Sequence, residues 1–348
     1  MPALLFLLFL LSTLCHTSSA FAGKIVVNAV GDIMLAGKAS ASFARLGYDY
    51  PFAATVSALK NGDIAVGNLE APLALNGTEF KNKKFRFKTD PRAATALKRA
   101  GFSILTLANN HMLDFGSDGL RETIYNLDQQ GIQHSGAGET LATARREALV
   151  TCNGGKIAFL AYSLTYPEEF YAGDKRAGTA PGFRPYYQED IARARAVADY
   201  VVVSFHWGTE KAAMTKSYQV AAAHRAVDAG ADLVLGHHPH VLQGIERYKG
   251  SVIFYSLGNY AFGSLSSSDR SVIARITLDD GVKEVELIPL NVLNSEVSFQ
   301  PRLLTGEKGQ EVINRLNTMS KEMGTVIVDD HGRYLVDLTR DRESLARR

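Results

Sequence analysis

Cysteine is almost absent: the 348-residue chain has two, Cys15 and Cys152. A thiolate metal site needs several converging sulfurs and is therefore excluded. Because Cys15 falls in an apolar leader, the rest of the chain holds a single thiol and forms no internal disulfide. Net charge is nearly absent too, since 38 Lys and Arg against 36 Asp and Glu leave a formal +2. Nucleic acid is not expected as a partner, and any grip on a charged molecule must be local. A bilayer span is not expected either, because the run Leu4 to Leu11 falls short of the roughly 20 apolar residues required. With Ser12, Thr13 and the small-residue site Ala20-Phe21-Ala22 behind it, that run reads as a signal peptide over residues 1–22, cleaved after Ala22. Such a leader directs a protein to the periplasm or the exterior.

What the chain does have is a regular alternation. From Lys24 onward, runs rich in Val, Ile and Leu alternate with Ala- and Arg-rich stretches of helical character, such as Asp90 to Arg99, Gln188 to Asp199 and Tyr218 to Ala229. That order predicts an α/β fold, a largely parallel or mixed sheet covered by helices, over a main domain of residues 23–290. After Pro289 the pattern changes. A helix over Glu307 to Met323 and a hairpin of Thr325 to Val328 with Tyr334 to Asp337 are expected to form a C-terminal appendage within residues 291–348.

The places where the apolar runs stop carry the chemistry. Lys24 to Val30 leads into Gly31-Asp32, Ile64 to Val66 into Asn68-Leu69-Glu70, and Ile104 to Leu107 into Asn109-Asn110-His111. Tyr200 to Ser204 leads into His206-Trp207, Asp232 to Leu235 into Gly236-His237-His238-Pro239-His240, and Val252 to Ser256 into Gly258-Asn259. In open α/β sheets, ligands bind beyond the carboxyl ends of the strands, so these residues are expected on one rim. Asp32, Glu70, Asn110, His206, His238 and His240 form a candidate ligand set for one or two divalent ions. Mixed carboxylate, amide and imidazole donors suit zinc, manganese or iron better than calcium. In an extended segment the rings of His238 and His240 point to one side and that of His237 to the other.

His111 is the candidate catalytic residue, placed to protonate a leaving group or stabilise developing negative charge. Trp207, Glu210 and Asn259 are candidates for lining the substrate pocket. In Phe80 to Lys88, Phe85 and Phe87 alternate with Lys84, Arg86 and Lys88, so a strand there puts cations on one face, with Arg86 and Lys88 as substrate-binding candidates. The plainer readings stand beside these. Lone His134, His224 and His331 are structural, Asp32 and Asn110 also suit helix caps, and a cationic strand is commonly a solvated edge.

Together the motifs Gly31-Asp32-Ile33-Met34, Gly67-Asn68-Leu69-Glu70, Ala108-Asn109-Asn110-His111, His206-Trp207-Gly208-Thr209-Glu210, Gly236-His237-His238-Pro239-His240 and Ser256-Leu257-Gly258-Asn259 resemble those of the CapA family. That family is associated with poly-γ-glutamate capsule synthesis and is built on a calcineurin-like metallophosphoesterase fold. The resemblance implies a four-layer α/β sandwich of the metallophosphoesterase type, with two facing mixed sheets flanked by helices. It also implies metal positions at Asp32, Glu70, Asn110, His206, His238 and His240. Ordinary metallophosphoesterases begin with Asp-x-His, whereas Met34 stands two residues after Asp32. Their second motif ends in Asp where this chain has Glu70, and Met112 replaces the acidic residue usual after the Asn-His pair.

Two readings follow. One is an exported, metal-dependent, hydrolase-like protein of the cell envelope, acting on a phosphoester or γ-glutamyl substrate through metal-activated water. The other is a non-catalytic capsule assembly or export factor that binds poly-γ-glutamate through Lys84, Arg86 and Lys88, beside membrane-bound synthesis machinery.

Overall fold

The computed structural model describes residues 23–183, 185–265, 268 and 270–339. The expected signal peptide lies outside the described residues. Among those described, no helix is long and apolar enough to cross a membrane.

Two sheets carry the fold. In the first, β1 (Ile25–Met34) is central, with β2 (Ile64–Leu69), β3 (Phe102–Thr106) and β4 (Gln133–Ser135) added in parallel on one side. The antiparallel pair Arg270–Leu278 and Val282–Asn291 extends the other side. In the second sheet the order is Ile245–Tyr248, Ser251–Phe254, Leu233–His237, Tyr200–His206, Gly155–Ser163, Ala148–Cys152, parallel in its interior and antiparallel at both edges.

Strand parity assigns the layers, because successive side chains leave opposite faces. Ile25, Val27, Ala29, Ile64 and Val66 of the first sheet meet Tyr200, Val202, Leu233, Leu235, Val252 and Phe254 of the second in one core. The intervening residues pack outward. Val201, Val203, Phe205, Val234 and Ile253 lie under helices Tyr186–Arg195 and Ser217–Asp228, while Ala65 and Leu105 lie under Arg92–Ala100 and Gly116–Gln129. Helix, sheet, sheet and helix thus make the four layers that the resemblance implies. The helices expected at 90–99, 188–199 and 218–229 stand within a few residues of those places.

Two expectations change. The C-terminal helix and hairpin do form, at Gly306–Lys321 and Ile327–Asp330 with Arg333–Val336. They are not an appendage, since Glu286 and Leu287 pair with Leu335 and Tyr334, extending the first sheet. Val312, Ile313, Leu316 and Val336 also enter the core between the sheets. The second change is at residues 80–88, which form turns and irregular backbone rather than a strand. Alternation there finds no neighbouring strand to pair with, and an unpaired ladder has no stability of its own.

Candidate metal centre

The centre lies where β1, β2 and the ends of Tyr200–His206 and Leu233–His237 meet. Parity first places His206 and His237: each continues the inward series of its strand, Tyr200 and Val202 in one case, Leu233 and Leu235 in the other. Asp32 arrives by a different device. The register of β1 against β2 shifts between Ala29 and Asp32, and Gly31 permits a backbone approach that a side chain would block, its Cβ falling 2.0 Å from the Gly258 carbonyl oxygen. The Asp32 N–H then donates to that carbonyl at 2.9 Å, and its carboxylate turns to the second sheet. Glu70 and Asn68 follow the inward parity of Ile64 and Val66.

His237 corrects the expectation that it faces away: its Nδ1 lies 3.2 Å from Asp32 Oδ1. His238 and His240 are not in an extended segment. Both have positive φ, 94° and 58°, and this left-handed turn brings the His238 N–H to 3.3 Å and His240 Nδ1 to 3.1 Å from Asp32 Oδ2. Asn68, absent from the expected ligand set, is the hub of the floor. Its Nδ2 donates to Asp32 Oδ1 at 2.9 Å and to Glu70 Oε2 at 3.3 Å, and its Oδ1 accepts from Asn109 Nδ2 at 3.0 Å.

His206 Nε2 lies 2.8 Å from Asn110 Oδ1 and 3.6 Å from Glu70 Oε1, and His240 Nε2 is also 3.6 Å from Glu70 Oε1. All six expected ligands, Asp32, Glu70, Asn110, His206, His238 and His240, therefore occur in one cluster. Buried polar atoms ordinarily have partners, yet among the described residues Glu70 Oε1 and His238 Nδ1 are buried with no hydrogen-bond partner. Two buried or nearly buried triplets, Glu70–His206–His238 and Asp32–Glu70–His240, place one ligand atom each within 4.8 Å of one another. Orphaned donors converging in this way fit a divalent ion.

The protonation of His206, His238 and Asp32 favours the same use. Burial pushes the His206 imidazole well below its ordinary value, with the charge of His238 adding to it, and burial with the charge of His240 takes His238 down to about 3. Both rings are neutral and offer lone pairs, the form that binds metal. Burial opposes ionisation of Asp32, but hydrogen bonds from His237 and His240 outweigh it and hold the carboxyl well below the usual range. Burial likewise opposes charge on His240, yet Glu70 and Asp32 raise it to about 9. Burial, then the charge of Asp32, push Glu70 well above an ordinary carboxyl.

His111 stands on the wall of a cavity of about 520 Å³ that opens over the cluster. Its Nδ1 lies 2.6 Å from Asp114 Oδ2, and the Lys83 ammonium donates to Asp114 Oδ1 at 2.7 Å and to the Asn110 carbonyl. Lys83 Nζ is also 2.8 Å from His111 Nδ1. Both are hydrogen-bearing nitrogens once the acceptor-only Asp114 takes the imidazole N–H, so the Lys83–Nδ1 approach is a close contact and the Asp114 bond is the directing one. Burial lowers the pKa of His111 and of Lys83, with Asp114 opposing in both cases. Lys83 and Asp114 were missed from sequence; they meet across a loop without periodicity.

Glu210, His240 and Asn259 line the same cavity, with Phe85, Phe87 and Phe262 as apolar wall. Asn259 Oδ1 is 2.9 Å from His240 Nδ1. Three expected substrate contacts are corrected. Arg86 pairs with Glu79 at 2.8 Å, Lys88 donates to the Leu75 carbonyl at 2.8 Å, and neither lines the cavity. Trp207 is fully buried in the outer core, stacked on Phe205 at 4.7 Å with its N–H on the Tyr255 carbonyl. Parity offered that signal: if His206 faces inward, Trp207 faces outward with Phe205.

The family described as bacterial capsule synthesis protein PGA_cap matches residues 26–264. The capsule biosynthesis protein CapA of Bacillus anthracis is 34% identical over 278 residues, covering 77% of this chain and 68% of that protein. The PGA biosynthesis protein CapA of Bacillus subtilis is 32% identical, covering 76% and 70%. Among solved structures, the calcineurin-like phosphoesterase YfkN of Bacillus subtilis shares 16% identity, covering 85% of this chain and 97% of that one, with a TM-score of 0.45. The chain is thus a member of the PGA_cap family of bacterial capsule synthesis proteins.

Proposed function

We propose that the protein is an exported metal-dependent hydrolase of the cell envelope, acting on an anionic phosphoester or γ-glutamyl substrate in the context of poly-γ-glutamate capsule synthesis. The observation that carries this reading is the pair of unpartnered buried ligand atoms on Glu70 and His238 at the floor of a cavity whose wall presents His111. A bound divalent ion supplies Lewis acidity and lowers the pKa of water to near neutrality. The residues Asp32, Glu70, Asn110, His206, His238 and His240 would hold it. Asp114 keeps the proton of neutral His111 on Nδ1, which leaves the Nε2 lone pair for the reacting group. A proton accepted at Nε2 creates an imidazolium stabilised by Asp114, and that proton is returned to the leaving oxygen or nitrogen. The apolar wall of Phe85, Phe87 and Phe262 limits water beside the reacting bond. The names of the CapA relatives support the capsule context, and the leader-like segment 1–22 supports export.

The test is hydrolysis by the purified chain of p-nitrophenyl phosphate, bis-p-nitrophenyl phosphate and γ-glutamyl-p-nitroanilide, with and without added Zn²⁺ or Mn²⁺. Metal-stimulated turnover that falls about 10²–10⁴-fold in His111→Ala is expected. Absence of metal-stimulated turnover on all three substrates counts against the reading.

A further inference from the structure

We propose that Glu210 is a third carboxylate ligand of the metal centre, reaching it from the cavity side beside His238 and His240; this rests on the metal reading above. The buried triplets share Glu70, and each contains one histidine of the turn, His238 in one and His240 in the other. Glu210 forms a triplet with those same two histidines, its ligand atom within 4.8 Å of theirs. Its carboxylate therefore stands within reach of one imidazole from each buried triplet, on the side that opens to the cavity.

Ligands of one ion at ~2.1 Å stand about 3–4 Å apart, so a small swing of one side chain closes the gap. Glu210 is the member free to make it. It is exposed, and its carboxylate has no hydrogen-bond or ion-pair partner among the described residues. Its receiving partner is unfinished as well: His238 is 8% exposed and its Nδ1 is buried without a hydrogen bond. Desolvating a polar atom with no partner carries a cost that a cation offsets.

The placement of Glu210 is built into the backbone. The Trp207 N–H donates to the His237 carbonyl at 3.1 Å and the Lys211 N–H to the Pro239 carbonyl at 2.8 Å, so the segment carrying Glu210 is tied at both ends to the histidine turn. Glu210 also lines the cavity beside His111 and His240. An exposed carboxylate in that position occupies coordination space that an incoming substrate oxygen needs, which makes it a displaceable ligand.

The test is titration of the full metal-free chain and of Glu210→Gln with Mn²⁺ and Zn²⁺, followed calorimetrically. The substitution keeps shape, removes charge and lies at an exposed position, so circular dichroism and the melting temperature without metal are expected to be unchanged. Metal affinity is expected to fall at least about tenfold, since partners outside the coordination sphere already cost 10–100-fold when lost, and Glu210→Asp is expected to recover part of it. Equal affinity in wild type and Glu210→Gln overturns the proposal while leaving the metal reading intact. A wild-type chain that binds neither ion overturns both.

Discussion

The histidine turn at 236–240 and the cationic segment at 80–88 are both conspicuous in the sequence, and they fare differently in the fold. The turn is anchored at the end of a strand paired on both sides, Leu233 with Val202 and Val252. Its side chains have little choice about where they arrive. The segment at 80–88 has no strand partner among the described residues, and its members scatter: Arg86 to Glu79, Lys88 to a carbonyl and a ring face, Lys83 inward to Asp114. A pattern locates a side chain only when neighbouring backbone enforces the period.

The most damaging way to break the comparison is at the turn. His238→Ala removes an imidazole shared by two triplets, so metal-stimulated turnover is expected to disappear while the fold persists. The stabilisation by metal should vanish too, about 2.7 kcal/mol at a concentration 100 times Kd, read as the loss of the metal-dependent shift in melting temperature. An unchanged shift would contradict the assignment.

Next come the buried residues beside the two regions. Lys83→Met strands the fully buried Asp114 carboxylate without its ammonium partner, and is expected to destabilise by about 3–5 kcal/mol in denaturant unfolding. Trp207→Ala opens the outer core and is expected to cost a similar ~3–5 kcal/mol, with metal affinity preserved because its ring faces away from the cluster. A large loss of metal affinity at full stability would place the indole at the site after all.

The smallest effect is expected where the segment is solvated. Arg86→Ala removes a partly exposed pair and should change stability by about 0–1 kcal/mol, with turnover unaltered. A strong effect on binding of a poly-γ-glutamate oligomer would instead restore the cationic face that the structure disperses.

These contrasts also mark what was legible beforehand. The alternation of apolar runs with helical stretches read correctly as layered α/β, and strand ends named Asp32, Glu70, Asn110, His206, His238 and His240. Parity, applied to His206 and Leu235, would further have turned Trp207 outward and His237 inward. Other features had no local signal. The bulge at Gly31, the left-handed turn at His238 and His240, and the Lys83–Asp114 contact are fixed by distant backbone. The C-terminal hairpin was visible as a hairpin, but its pairing to Val282–Asn291 depends on an edge left open elsewhere in the chain.

The central claim is that the strand-end cluster holds a divalent ion, and the most direct test is the metal content of the purified full chain beside His238→Ala, by inductively coupled plasma mass spectrometry after loading with Zn²⁺ or Mn²⁺ and desalting. Retained ion in the wild type and its loss in the variant are predicted. A wild-type chain that emerges metal-free, or a variant that retains as much ion as the wild type, would contradict it.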